Sequence, residues 1–240
     1  MGNIKNSKKW VVPILMFIFC EFIYRQHLVK YLLDRDYLVV NFFENSFLNK
    51  TFSFGLLNFA VAVIILLISK FIFKEKLTSI DSSDKISLKK SAIIVFSAVV
   101  VTIIVFYLLT YIIYDILGSS VNSAAAMYIR EISMRNKYIY VIFTFFTVTF
   151  EEVVYRKLLF GYLYDLHSGC NKYVRFITSL LGSVIIFGAV HDGVFSSGMI
   201  FYVMAGISFT IVYFYTKRIS SAIAIHFLYN ICLRLILTII

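Results

Sequence analysis

Three short runs place ionisable residues inside otherwise apolar stretches: Phe150-Glu151-Glu152-Val153-Val154-Tyr155-Arg156, Phe187-Gly188-Ala189-Val190-His191 and His226-Phe227-Leu228-Tyr229-Asn230. A charged group at membrane depth costs roughly 2.5–3.5 kcal/mol on insertion scales, so it marks a site or a path. Neighbouring residues on a helix point about 100° apart, and Glu151 and Glu152 therefore cannot both face one point. Arg156 follows Glu152 by four residues, the spacing of an intrahelical ion pair. That pairing leaves Glu151 to turn towards a cavity. His226 and Asn230 are also four apart and share a face, while His191 comes from a third helix. Together they supply a carboxylate to take a proton from water, imidazoles to hold water or stabilise developing charge, and an amide donor for an oxyanion. This is equipment for hydrolysis. A carboxylate with two histidines can also hold a divalent ion such as zinc with one position open. H-E-x-x-H is absent and no spacing requires a metal, so the metal stays open, with a lean against it.

The elements that must position these groups are helices in a bilayer. Of 240 residues, 60% are apolar and 15% charged, against about half and about a quarter in soluble domains. A span needs about 20 mainly apolar residues, and seven segments qualify, at about 10–29, 52–73, 91–117, 138–166, 176–193, 198–216 and 219–239. Residues 26–50 mix leucines with charges and suit either a helix lying in the interface or an eighth, poor span. The fold class is an all-α polytopic membrane protein of seven to eight transmembrane helices. Residues 1–137 supply N-terminal helices and connectors, and 138–240 hold the chemical core, within one membrane domain. With the N-terminus inside, 12 Lys and Arg lie on the inner side and seven on the outer, which favours an N-in, C-out chain. The net charge of +10 is scattered between apolar runs and forms no stripe with interleaved aromatics, so no nucleic-acid partner is expected. Cys20, Cys170 and Cys232 have no C-x-x-C spacing and indicate neither a disulfide framework nor a thiolate metal site.

The order E-E-x-x-x-R, F-x-x-x-H, H-x-x-x-N on three spans resembles the CPBP family, intramembrane proteases related to type II CAAX prenyl endopeptidases and to bacteriocin-processing and self-immunity proteins. The resemblance covers about residues 138–240. It implies that Glu151 activates the attacking water with His191, that His226 and Asn230 stabilise the tetrahedral oxyanion, and that Glu152, Arg156 and Phe187 hold the site together. It also implies a membrane-associated peptide or protein substrate, the lipid bilayer as surroundings, and a multi-pass protein of the bacterial cytoplasmic membrane. A non-enzymatic scaffold or bacteriocin-immunity protein is the alternative, with a small transporter or proton relay third.

Helix rise tests the shared site. At about 1.5 Å per residue, Glu151 and His226 lie about 10 and 12 Å from the cytoplasmic edge, but His191 lies about 24 Å away on a straight crossing from Arg175. Residues 170–179 are therefore expected to lie along the interface, with the crossing starting near Leu180. A straight crossing that leaves His191 remote from Glu151 would sink the shared site. Glu21 and Arg25, four apart, are expected to pair at the end of the first helix, and His27 and His167 to be ordinary surface histidines.

Overall fold

The fourth span is the axis of the molecule, with 61% of its most apolar window buried against 17–39% for the others. The computed structural model describes residues 4–74, 77–81, 83–118 and 123–239, and among these every regular element is a helix. Helix α1 (Ile4–Ile18), a π-helical stretch (Phe19–Val29) and α2 (Lys30–Asp34) run on as one rod. The second rod joins α3 (Ser46–Leu67) to a π turn (Ile68–Ile72), and the third joins α4 (Leu88–Tyr111) to another (Ile112–Ile116). A short helix α5 (Ala124–Arg135) precedes the central rod, made of α6 (Lys137–Glu152), a π stretch (Val153–Phe160) and α7 (Gly161–Leu166). Helices α8 (Lys172–Asp192), α9 (Met199–Thr216) and α10 (Ile219–Ile239) complete the bundle.

Among the described residues seven rods are long and apolar enough to cross a membrane: Val11–Asp34, Ser46–Ile72, Leu88–Ile116, Lys137–Leu166, Lys172–Asp192, Met199–Thr216 and Ile219–Ile236. Residues 26–50 therefore form neither an interfacial helix nor an eighth span. The first rod continues to Asp34, and extended chain leads to α3, where the Asn49 amide accepts from Phe42 N and Phe43 N and donates to Phe43 O. Helix starts follow from side-chain caps. Asn45, Ser87, Ser123, Asn136 and Asn171 each accept a hydrogen bond from a backbone N–H in the first turn they precede, an interaction worth about 1 kcal/mol. In the connector to α4, Ser83 N donates to Ile80 O; Ser82 lies outside the described residues.

Small residues let the rods approach, as bilayer helices require. A Cβ on Gly161 would meet Thr78 Cγ2 at 2.7 Å, and one on Gly188 would meet Val203 Cγ2 at 2.8 Å and Met199 O at 3.2 Å. Around the central rod Phe150, Val153, Val154, Tyr155, Leu158 and Leu159 form one buried cluster with Phe17, Val29 and Phe187. The axis thus carries Glu151 and Glu152 at the junction of α6 and its π stretch, inside the packed bundle.

Candidate active site

Glu151 is the meeting point. Its Oε1 lies 3.3 Å from His191 Nε2 and 3.4 Å from Arg25 Nη1, and its Oε2 lies 3.9 Å from His226 Nε2. Glu152 sits on the other edge of the same imidazole, with Oε1 2.8 Å from His226 Nδ1, and its Oε2 is 3.1 Å from Arg156 Nε. The two adjacent carboxylates do point apart, as helical geometry demands. They nevertheless converge on opposite edges of one ring.

Proton bookkeeping follows from these contacts. His191 Nδ1 is 2.8 Å from Phe187 O, and a carbonyl only accepts, so Nδ1 carries a proton and Nε2 holds the lone pair of the neutral ring. His226 Nδ1 likewise donates to Glu152, which leaves its Nε2 facing Glu151. Two Nε2 atoms and one carboxylate therefore address the same space, and any further proton is shared among them. The rings are held by aromatic neighbours. His226 stacks on Phe209 at 4.3 Å between centroids, and His191 stacks on Tyr202 at 5.0 Å with Phe187 at 4.3 Å. Arg156, fully enclosed, places its guanidinium 4.4 Å from the Phe187 ring centroid and 5.6 Å from that of Phe209, which is cation–π geometry. Phe187 thus touches both halves of the site.

The structure gathers Glu151, Glu152, Arg156, Phe187, His191 and His226. Asn230 lies one turn beyond His226; its backbone oxygen accepts from Tyr140 Oη at 3.0 Å, and its amide makes no hydrogen bond among the described residues. That amide is partly exposed and available to a ligand. His27 is exposed and His167 bonds Leu163 O.

Two expectations are corrected. Helix α8 is continuous from Lys172 to Asp192, with no interfacial segment over 170–179 and no start at Leu180, and Gly193 ends it at a φ of 86°. His191 is still beside Glu151, because the Arg175–Asp165 ion pair at 3.1 Å sets the levels. From that contact Glu151 stands 14 residues up one rod and His191 16 residues up the other, heights of about 21 and 24 Å. The helix-rise count failed because the central rod extends to Leu166, which moves Glu151 farther from that end than a 30 Å core implies. Second, Glu21 and Arg25 do pair, with Arg25 Nε 3.3 Å from Glu21 Oε1, but inside the first span rather than at its end. Glu21 is fully buried, and Arg25 goes on to Glu151. The sequence signal was present, a Glu and an Arg within one span, but it lay 126 positions from its partner. Beside Arg25 opens a cavity of about 330 Å³, with Lys30, Leu33, Lys50 and Tyr128 on its wall.

The two imidazole nitrogens contact different oxygens of Glu151, and among the described residues no three His, Cys, Asp or Glu side chains group to hold a metal.

Comparison with known proteins covers the same helices. Residues 132–232 match the family model described as Type II CAAX prenyl endopeptidase Rce1-like. Over 80 residues, 33% of this chain, the sequence is 38% identical to the membrane-embedded CAAX protease MroQ of Staphylococcus aureus, and the match spans 31% of that relative's length. No solved structure matches the chain. Motif order, helical architecture and family match agree: over residues 132–232 this chain is similar to the CPBP family, the membrane proteins related to type II CAAX prenyl endopeptidases.

Proposed function

We propose that this chain is an intramembrane endopeptidase that hydrolyses a peptide bond of a membrane-associated peptide or protein through a water activated by Glu151. The observation that carries this reading is the convergence of the Glu151 carboxylate with the Nε2 atoms of His191 and His226 inside a seven-span bundle. Similarity to a protein named as a membrane-embedded CAAX protease adds support.

Glu151 takes a proton from water as the water oxygen bonds to the scissile carbonyl carbon, and His191 Nε2 accepts a hydrogen bond that aims the water. The carbonyl oxygen becomes an oxyanion. The Asn230 amide donates to it, and His226 donates from Nε2 when the ring carries both protons, with Glu152 accepting at Nδ1. The C–N bond then breaks and the proton held by Glu151 passes to the leaving amine. Arg25 supplies positive charge opposite Glu151 and Glu21 throughout. Every step uses this chain's own residues.

Membranes carrying wild type or Glu151→Gln at matched expression, compared by mass spectrometry of released peptides with and without a chelator, test the reading. Peptides released by wild type should fall at least a hundredfold in the variant, the scale of losing a general base. Equal peptide profiles would overturn it in favour of a scaffold or immunity role, and loss on chelation would add a metal to the site.

A further inference from the structure

Away from Glu151, a cavity of about 230 Å³ lies where the second span ends and α9 turns into α10. Its wall carries five cations, Lys70, Lys85, Lys157, Lys217 and Arg218. Among the described residues the one carboxylate on that wall, Asp81, is already engaged by Lys157 at 2.5 Å. Lys70, Lys217 and Arg218 have no carboxylate partner among the described residues. Arg218 donates its Nε to Ile86 O at 2.8 Å, and the Lys217 ammonium rests 3.5 Å from the Phe214 ring centroid. Ser69, on the same wall and 2% exposed, has an Oγ with no hydrogen-bond partner. A concave site with surplus cations and an unused hydroxyl asks for an anion that accepts several hydrogen bonds.

Two further features point the same way. Lys217 has a φ of 56°, in the left-handed region where Gly or Asn would sit with less strain. Burial and the nearby Arg175 charge hold its ammonium down to about 8, as expected of a lysine without a counterion. A residue that is costly in both backbone and charge is explained by what its side chain binds.

We propose that this cavity binds a phosphate group, supplied by the headgroup of an anionic membrane phospholipid. The place favours a lipid over a free ion: the cavity sits at the ends of three spans, Leu66 and Ile219 share its wall, and it opens at the Lys- and Arg-rich end of the bundle. That end faces the cytoplasmic leaflet by the charge rule, where anionic lipids attract each nearby Lys or Arg by about 1 kcal/mol.

The test uses the full chain in neutral detergent, with binding read by native mass spectrometry and by the thermal unfolding midpoint. Phosphatidylglycerol, phosphatidylcholine and sodium phosphate are titrated separately at constant ionic strength. Phosphatidylglycerol should be retained and raise the midpoint while phosphatidylcholine does neither, and Lys217→Gln with Arg218→Gln should weaken retention about thirtyfold. Lys217→Gly separates binding from folding, since it relieves the left-handed backbone yet should lose about fivefold in lipid affinity. Sodium phosphate matching the lipid's effect would keep the site and replace the lipid by the free ion. Equal retention of the two lipids with no response to phosphate, or unchanged phosphatidylglycerol binding in both variants, would overturn the proposal.

Discussion

Arg25 bridges two carboxylates on two rods, Glu21 at 3.3 Å and Glu151 at 3.4 Å. A guanidinium suits this place because its planar fork presents several donors at once, whereas a lysine offers one compact charge. On the mechanism proposed above, Arg25→Met should lower peptide release by about ten- to a hundredfold, with the loss in kcat, since a misplaced general base is felt in the transition state. Arg25→Lys should recover only part of the rate. Equal kcat in all three proteins, measured on a peptide identified from wild-type membranes, would remove Arg25 from the site. The legible part of this cluster was what lies close in sequence, Glu152 with Arg156. The Glu152–His226 hydrogen bond and the Arg25–Glu151 pair join residues 74 and 126 positions apart. No local pattern announces such a contact; packing creates it.

Among the elements, α8 and α9 are held at backbone distance by Gly188, whose missing side chain leaves room for Val203 and the carbonyl of Met199. Gly188→Ala should destabilise the protein by about 1–3 kcal/mol, the usual cost of overpacking. It should also displace His191, less than one turn away, so activity should fall more than the unfolded fraction explains. Thermal unfolding and peptide release measured on one preparation check this. The α9–α10 corner makes a pH prediction. Lys217 titrates near 8 in the fold against 10.5 when free, so between those values the unfolded chain binds more protons and stability rises with pH. Below about pH 8 both states are protonated and the penalty is constant. Unfolding midpoints without lipid should climb from pH 8 to 10 in wild type and climb less in Lys217→Gln. Span positions were legible because hydropathy over 20 residues is a strong signal, within a few residues at most ends. Residues 26–50 were not, because a buried Glu21–Arg25 pair and the charges at Lys30 and Asp34 make the first rod look shorter than it is.

At the scale of the whole molecule, the described parts of the connectors, 77–81, 83–87, 167–171 and 217–218, gather at one end. Ser79 and Arg175 both bond Asp165 there, and Arg218 bonds Ile86. By the positive-inside rule this end is expected to face the cytoplasm. Cys170, exposed in the 167–171 connector while Cys20 is buried, reports on it directly. A membrane-impermeant maleimide should label Cys170 in inside-out vesicles and not in intact cells, and the reverse pattern would invert the chain. The three motifs lie beyond residue 137, and Arg25 on the first rod reaches Glu151 across that division.

The pairing of charges four residues apart also bears on how the protein is made. Glu21–Arg25 and Glu152–Arg156 are each neutral as a pair, so each rod can enter the bilayer with its own compensation rather than as a bare ion. Glu151 has no such partner on its own rod. At about 5–20 residues per second it is synthesised about 6–25 s after Arg25, and His226 emerges later still. The first rod therefore enters the membrane with Glu21 and Arg25 already able to pair, Arg25 gains Glu151 as a second partner only once the fourth rod has been made, and the cluster is complete only when His226 on the last span has followed.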